Sequence, residues 1–265
     1  MKCARNPVGL LMALLVAVLL VGAGFLVCVL PVTTKMLAAA FSDDVTSPFE
    51  RGQLVSVADV SRDYAFGAHD RGRLYEAIYR ANVELQAKLE DAGQPIPAGF
   101  PRLEEVSSTE DVNQIEKVLL DASEVFSYSE GTIQHLDDCN AIARVAYSVL
   151  AAVALATIVC FVLCVTKVRK QIAGTALRLG GAVVLVALVV LGVFAAVDFE
   201  RFFTLFHGVL FSQGNWQFPY DSLLICSLPE AFWAGMGVVW LVASIVASMV
   251  CVAFGTKLSR AGGTP

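Results

Sequence analysis

The stretch "VAYSVLAAVALATIVCFVLCV", residues 145–165, decides the fold because it contains no charged side chain. The hydrocarbon core of a bilayer is about 30 Å thick, and roughly 20 apolar residues in a helix cross it. Lipid offers the backbone no hydrogen-bond partner, so such a stretch is predicted to be a transmembrane helix. Three further uncharged runs are "VGLLMALLVAVLLVGAGFLVCVL" at 8–30, "LGGAVVLVALVVLGVFAAV" at 179–197 and "AFWAGMGVVWLVASIVASMVCVAFG" at 231–255. The sequence therefore predicts an all-α membrane protein with four transmembrane helices.

The composition agrees with a membrane protein and argues against other classes. Of the 265 residues, 57% are hydrophobic and only 16% are charged, and the mean hydropathy is +0.67. These values differ strongly from those of a soluble domain. The formal net charge of −5 argues against nucleic acid as a partner, because phosphate binding requires a basic surface. The sequence contains neither a CxxC pair nor a P-loop, and we expect no cofactor.

The basic residues beside the four runs predict the orientation of the chain. They precede the first run, separate the second from the third and follow the fourth: Lys2, Arg5, Lys167, Arg169, Lys170, Arg178, Lys257 and Arg260. Because basic residues mark the cytoplasmic side, we expect a multi-pass protein of a bacterial cytoplasmic membrane with both termini in the cytoplasm. The predicted cytoplasmic segments are 1–7, 166–178 and 256–265, and the predicted extracytoplasmic segments are 31–144 and 198–230. The length of the first run favours a retained anchor over a cleaved signal peptide.

The long segment 31–144 is predicted to form a mainly helical extracytoplasmic cap that rests on the outer leaflet. Its stretch "RLYEAIYRANVELQAKLEDAG", 73–93, repeats apolar residues at close to helical spacing. These apolar positions are Leu74, Ile78, Val83, Leu85 and Leu89. A second stretch, "STEDVNQIEKVLLDASEVFSY" at 108–128, starts with a Ser/Thr N-cap and an acidic first turn, which predicts another helix.

Two of the three histidines are placed where the chain is predicted to leave the membrane. His135 lies in "SEGTIQHLDDCNAIARVAY", 129–147, which leads into the second run and is predicted to form the outer end of that helix. In a helix, His135 and Asp138 share a face, whereas Asp137 points elsewhere. The third histidine, His69 in "AFGAHDRG", is predicted to be a loop residue.

His207 lies in the segment 198–230, which is apolar almost all round when it is wound as a helix. One stripe of this predicted helix, with the histidine at its border, consists of Phe199, Phe203, Phe206 and Leu210. Trp216 is an aromatic residue of the kind that is typical of a membrane–water boundary. We therefore expect a helix and a loop at or in the outer interface, with His135 and His207 near the same plane.

The residues alone leave three interpretations of these histidines open. In the first, His207 is an interfacial imidazole with its tip among the headgroups, and His135 forms a surface ion pair. In the second, the two imidazoles exchange protons near neutral pH, and Asp138 orients His135. In the third, His135, Asp138, His207 and Asp221 bind a metal. Their spacing matches no standard zinc pattern, and we expect no metal.

Two of the seven cysteines fall in the predicted extracytoplasmic segments, where a disulfide could persist. These are Cys139 and Cys226. Their spacing does not decide whether they are bonded, and a pair of buried thiols is the interpretation we favour.

Several motifs resemble the integral membrane family of bacterial lipoprotein intramolecular transacylases. They are "EGTIQHLDD" at 130–138, the F..FH...F run at 203–211, the Trp-containing loop before "DSLLICSLPE" at 221–230, the aromatic pair Phe232–Trp233, and "RDYAFGAHDRGRLYEAIYRAN" at 62–82. The resemblance covers most of the chain, and the predicted four-span layout agrees with it.

The resemblance implies an acyl transfer within a diacylated lipoprotein, from the sn-2 position of the diacylglyceryl group to the N-terminal cysteine amine. It implies that His135 and His207 are the catalytic pair and that the partners are membrane lipids and the lipoprotein substrate. We expect substrate-binding roles for Asp138, Phe203, Asn215, Trp216 and Asp221. Trp216 or Asn215 could donate to the developing oxyanion, and the Phe-rich face around His207 would hold the acyl chain and exclude water.

Two further classes of function compete with this enzyme. A non-enzymatic membrane protein could bind lipid or a partner through its extracytoplasmic cap. A transporter is less consistent with the sequence, because an ion or proton path normally requires ionisable groups at depth in the membrane, and the four runs contain none.

Overall fold

The computed structural model describes residues 7–108, 111–166, 170–211 and 214–261, and the regular structure in these ranges is helical and contains no strand. The α-helices found there are α1 (Pro7–Cys28), α2 (Pro31–Phe41), α3 (Arg51–Phe66), α4 (Arg71–Asp91), α5 (Val112–Leu120), α6 (Glu130–Thr166), α7 (Lys170–Val197), α8 (Phe199–Leu210), α9 (Leu223–Ser227) and α10 (Glu230–Ala261). The predicted all-α class is confirmed. Four of the basic residues that predict the orientation, Lys2, Arg5, Lys167 and Arg169, lie outside the described residues.

Four helices, α1, α6, α7 and α10, are long and apolar enough to cross a membrane. Their most apolar windows have mean hydropathies of 2.9, 2.8, 2.8 and 2.4. The prediction of four transmembrane helices is confirmed, and the protein is an integral membrane protein. These helices also extend beyond the uncharged runs: α6 starts at Glu130, and α7 starts at Lys170 inside the segment predicted as a cytoplasmic loop. A helix continues past an apolar run because its backbone hydrogen bonds do not depend on side-chain polarity.

Contacts divide the chain into two compact units, of which the first contains most of the apolar helices. It comprises Met1–Cys28, Val145–Thr204 and Gly237–Pro265. Within it, α1 packs on α7 through a buried cluster of Val16, Leu20, Val184 and Leu188. The indole Nε1–H of Trp240 on α10 donates a hydrogen bond to the Val21 carbonyl of α1 over 3.2 Å.

Glycines allow α7 and α10 to approach each other closely within the first unit. A Cβ atom built on Gly174 would lie 2.6 Å from the Gly255 carbonyl oxygen, and one built on Gly255 would lie 2.7 Å from the Gly174 carbonyl oxygen. Real Cβ atoms do not come this near, so both positions require glycine. In lipid there is no hydrophobic force to drive helices together, and small residues promote close packing of the backbones instead.

The second unit comprises Val29–Arg144 and Leu205–Met236 and contains the cap helices. The helices α2, α3, α4, α5 and α9 bury one continuous core there. Among its fully buried residues are Leu54 of α3, Leu74 and Ile78 of α4, Ile115 of α5 and Leu223 of α9, all with 0% exposure. The outer end of α6 adds Ile133 and Leu136 to this core, and the start of α10 adds Phe232.

The apolar pattern of 73–93 predicts the buried face of α4 except at one position. Leu74, Ile78 and Leu85 are buried, whereas the side chain of Val83 is 43% exposed. Val83 lies five positions after Ile78, and five positions along a helix correspond to a different face.

The N-cap of α5 is an aspartate and differs from the predicted Ser/Thr cap. Asp111 accepts hydrogen bonds from the backbone N–H groups of Asn113 and Gln114 through its side chain. Thr109 of the predicted cap and Glu110 of the predicted acidic turn lie outside the described residues. A carboxylate caps a helix as well as a hydroxyl does, and its charge is favourable near the positive end of the helix.

Hydrogen bonds fix α9 within the second unit. The Leu223 N–H donates to the Glu124 carbonyl over 2.8 Å, and the Asp43 N–H donates to the Cys226 carbonyl over 2.8 Å. The Ser42 hydroxyl donates to the Ser227 carbonyl over 3.0 Å. The loop that precedes α9 is therefore held at its C-terminal end by a buried helix.

Candidate active site

His135 is positioned by the part of α6 that belongs to the second unit. Its neighbours Ile133 and Leu136 are buried in the core, with exposures of 3% and 5%. One turn later, the Asn140 amide donates to the carbonyls of Tyr64 and Ala65 at the end of α3, over 3.3 and 3.2 Å. These contacts fix the rotation of α6, and they leave only 8% of His135 exposed.

His207 lies in the last turn of α8 and is as buried as His135, with 8% exposure. Its ring centre lies 4.9 Å from that of Trp216, 5.4 Å from that of Phe206 and 5.8 Å from that of Phe211. The imidazole is thus packed among aromatic rings of its own unit. This arrangement differs from an interfacial histidine whose tip is exposed.

The aromatic ring of Phe211 contacts both histidines. Its centre lies 4.7 Å from that of His135 in an edge-to-face arrangement and 5.8 Å from that of His207. Phe218 adds a further contact with His135 at 5.7 Å. The structure therefore brings the two predicted histidines together within one apolar, aromatic surrounding in the second unit.

Burial and charge set the protonation of His135, which lies on α6 before the predicted span 145–165. Burial of the ring, followed by the charge of nearby His207, lowers the pKa of His135 from 6.5 to about 4, although Asp138 acts in the opposite direction. Desolvation disfavours the imidazolium, and a second positive charge nearby disfavours it further. His135 is consequently neutral at physiological pH.

The predicted polar residues Asp138 and Asn215 are bonded to each other. The Asn215 amide nitrogen donates to the Asp138 carboxylate over 2.8 Å. This bond links α6 to the loop that carries Trp216, whose ring lies beside that of His207. The Asn215 side-chain oxygen is buried and has no hydrogen-bond partner in the described part of the chain. The hydrogen bond can therefore fix the position of the loop. It can also fix the direction of the Asn215 side-chain oxygen.

Phe203 and Asp221, two further predicted substrate-binding residues, also have partners in the structure. The ring of Phe203 contacts that of Phe199 at 5.9 Å, and Asp221 acts electrostatically on the Cys226 thiol. Within the described ranges, no group of three or more His, Cys, Asp or Glu side chains could hold a metal ion. His69 is a loop residue that stacks on Tyr64, with ring centres 4.3 Å apart.

Asp137 faces away from the two histidines, as helical spacing predicts. Its carboxylate accepts a hydrogen bond of 2.6 Å from the Tyr64 hydroxyl. The side chains of Asp137 and Asp138 therefore have different partners, although they are adjacent in sequence.

Three residues that contact the histidines were not among the predicted site residues: Phe211, Phe218 and Cys139. The Cys139 sulfur lies 3.7 Å from His135 Nε2. Phe211 and Cys139 each lie four positions after a histidine, and this spacing places side chains on one helix face, so a signal was present. Phe218 is placed by the path of a loop, which leaves no local signal.

The fold and the paired histidines define an integral membrane protein with a titratable site sheltered from bulk water. A sequence profile of the family described as "Lipoprotein intramolecular transacylase Lit" matches residues 106–233, the region that contains both histidines. The predicted resemblance to the lipoprotein intramolecular transacylase family is confirmed over this region.

The solved structures that match belong to the membrane integral lipoprotein intramolecular transacylase Lit from Bacillus cereus. One has 17% sequence identity and a TM-score of 0.61, and the match covers 95% of each chain. A second structure, with a histidine-to-arginine substitution, has 17% identity and a TM-score of 0.47 over 95% of this chain and 92% of that chain. The first match shows a shared fold. No curated protein sequence matches the chain.

The charges around His135 lead to a prediction about its titration. We expect the ring to titrate near pH 4 in isotope-edited NMR of the protein in lipid. His207→Gln removes a positive neighbour and should raise this pKa, whereas Asp138→Asn removes a negative one and should lower it. Asp137→Asn is the matched control, since Asp137 bonds to Tyr64 instead. A pKa of His135 that does not move in His207→Gln would contradict the proximity of the two rings.

Proposed function

We propose that the protein is a membrane acyltransferase that forms lyso-form lipoproteins. It moves an acyl chain from the diacylglyceryl group of a lipoprotein to the amine of its N-terminal cysteine. The observation that carries this proposal is the pair of buried histidines that meet at Phe211. Both lie inside the region matched by the transacylase family profile.

The reaction requires the movement of a single proton. The cysteine amine attacks the ester carbonyl, a nitrogen–carbon bond forms, and the bond from that carbon to the glyceryl oxygen breaks. The amine loses a proton and the glyceryl oxygen gains one, so no co-reactant is consumed. The histidine pair supplies the proton carrier for this transfer, because neutral imidazole accepts a proton and imidazolium returns it. Since both reactants belong to one molecule, holding them in register contributes much of the acceleration.

The aromatic surrounding of the histidines protects the ester from water. Phe206, Phe211 and Trp216 contact His207, and Phe211 and Phe218 contact His135. Water in this space would compete with the amine for the ester carbonyl and release a free fatty acid. An apolar surrounding excludes water and also suits an acyl chain.

We further propose that the protein resides in a bacterial cytoplasmic membrane with both termini inside, so that the histidines act on the outer side. The basic residues beside the uncharged runs support this orientation, among them Lys170, Arg178, Lys257 and Arg260. The lipoprotein substrate and the surrounding lipids are the partners of this site. Asp138, Asn215 and Trp216 are proposed to hold the substrate, together with Phe203 and Asp221.

A second candidate function, the binding of lipid or a partner protein without catalysis, is favoured by a different surface. On the second unit, Val32 and Met36 of α2 are 57% and 68% exposed, and Val45 in the following turn is 92% exposed. Val32 and Met36 are four positions apart on one helix, and exposed apolar side chains that share a face mark a surface that contacts lipid or protein.

One experiment separates the two functions. The chain is expressed in a host that makes only diacylated lipoproteins, and the N-terminal lipopeptide of a reporter lipoprotein is analysed by mass spectrometry. We expect one acyl group to appear on the cysteine amine and one to disappear from the glyceryl group, with no change in total mass. An unchanged lipopeptide, with the protein present and correctly folded in the membrane fraction, would favour binding without catalysis.

A further inference from the structure

The thiol of Cys139 has no part in the proposed reaction, yet it contacts one of the two histidines. Cys139 follows His135 by one helical turn on α6, and its sulfur lies 3.7 Å from His135 Nε2. Cys139 and the other cysteines of the described ranges are free thiols. Burial raises the pKa of Cys139 to about 12, so the sulfur keeps its proton over the whole physiological range.

The proton of this thiol favours one of the two positions for the ring hydrogen of His135. In a neutral imidazole one nitrogen carries hydrogen and the other accepts, and the hydrogen bond at one nitrogen selects the state of the other. Sulfur is a weak acceptor, whereas the imidazole lone pair is a strong one. The favourable arrangement is therefore S–H donating to Nε2, which places the ring hydrogen on Nδ1.

The second observation concerns Nδ1 itself. This nitrogen is buried and has no hydrogen-bond partner among the residues that the structure describes. Buried polar atoms are normally paired, and an unpaired one at a site calls for an explanation such as a missing ligand. The His135 ring that carries Nδ1 contacts Phe211, which also contacts His207. The proposed reaction takes place at these two histidines.

We propose that Cys139 is a positioning residue that fixes His135 as a neutral hydrogen-bond donor through Nδ1–H. The substrate group that pairs with this donor is the carbonyl oxygen of the ester. His207 is then the residue that carries the proton. This assignment of the two histidines rests on the proposed function, whereas the tautomer of His135 does not.

The roles follow from the balance of the reaction. As the amine attacks, His207 takes its proton, and the negative charge that develops on the carbonyl oxygen is stabilised by Nδ1–H of His135. As the carbon–oxygen bond breaks, His207 returns the proton to the glyceryl oxygen. His135 keeps its hydrogen throughout, and a neutral imidazole can polarise a carbonyl in this way.

The tautomer is tested on the full chain in lipid nanodiscs at pH 7.5 without substrate. With ¹⁵N-histidine labelling, the three histidines are assigned by single substitution, and the nitrogen shifts report where each ring hydrogen lies. We expect the hydrogen of His135 on Nδ1 in the wild type and in Cys139→Ser, whose hydroxyl also donates. Cys139→Ala should move a substantial fraction of it to Nε2. Cys226→Ala, which changes a buried thiol of the same unit, should have no effect.

Kinetics in the lipopeptide assay test the consequence for the reaction. For Cys139→Ala we expect kcat to fall about tenfold with little change in KM, less than the hundredfold or more that loss of a whole oxyanion donor costs. Cys139→Ser should recover most of this loss. The inference is overturned if His135 of the wild type carries its hydrogen on Nε2. It is also overturned if the tautomer of His135 does not change in Cys139→Ala. If the tautomer depends on Cys139 but no acyl transfer occurs, the proposed function fails and the role of Cys139 stands.

Discussion

Replacement of His207 by alanine is expected to lower the rate of acyl transfer by about a hundredfold to ten-thousandfold, the range that a general acid–base group contributes. The contacts of the ring with Trp216, Phe206 and Phe211 are lost as well, but these are packing contacts at the end of α8. The chain should therefore still fold and bind substrate, and the loss should appear in kcat. The measurement is the time course of amine acylation on the reporter lipopeptide, at matched amounts of protein in the membrane.

The matched control for this variant is His69→Ala. His69 is the third histidine of the chain, and it lies in a loop of the second unit, where its ring stacks on Tyr64. We expect its loss to leave the rate within about twofold of the wild type, because its partners are Tyr64 and Asp137 and not the two site histidines. Added imidazole should restore part of the activity of His207→Ala if the missing group is a proton carrier. Wild-type kinetics in His207→Ala would exclude His207 from the reaction.

The transmembrane part of the fold could be predicted from the sequence because lipid offers the backbone no hydrogen-bond partner. An uncharged run such as 145–165 has no alternative to a helix in a bilayer. The start of α6 at Glu130 agrees with the outer extension predicted over 129–147. The start of α7 at Lys170 was less accessible, because it lies inside the segment predicted as a cytoplasmic loop, where polar side chains give no sign of a helix. The N-cap of α5 shows the same limit: several polar residues precede Val112, and the one that caps the helix depends on the local backbone.

The two histidines of the candidate site could be predicted from the sequence, whereas few of the residues around them could. The motifs around His135 and His207 carried the resemblance, and the i to i+3 spacing placed Asp138 on the face of His135. The contact of Phe211 with both rings depends on how the end of α8 packs beside α6. No pattern within either segment determines that packing, and for the same reason the bond from Asn215 to Asp138 could not be read from residues 77 positions apart.

Loss of the hydrogen bond between Asp138 and Asn215 is expected to have the second large effect on the reaction. A hydrogen bond to a charged group contributes about 1.5 to 3 kcal/mol, and here it fixes the loop that places Trp216 beside His207. Asp138→Ala and Asn215→Ala should each lower kcat/KM by about tenfold to a hundredfold, because a difference of about 1.4 kcal/mol corresponds to a factor of ten.

A change in His135 protonation cannot account for this loss. Asp138 raises the pKa of His135, so its removal lowers that pKa further and leaves the ring neutral at physiological pH, as in the wild type. The double variant should therefore be no worse than either single variant, because the second substitution removes the partner of a bond that is already broken. Asp137→Ala serves as the control, since it removes the adjacent charge without touching Asn215. Fully additive losses in the cycle would mean that Asp138 and Asn215 act on the substrate independently, and the link from α6 through the loop to Trp216 would then play no part in positioning His207.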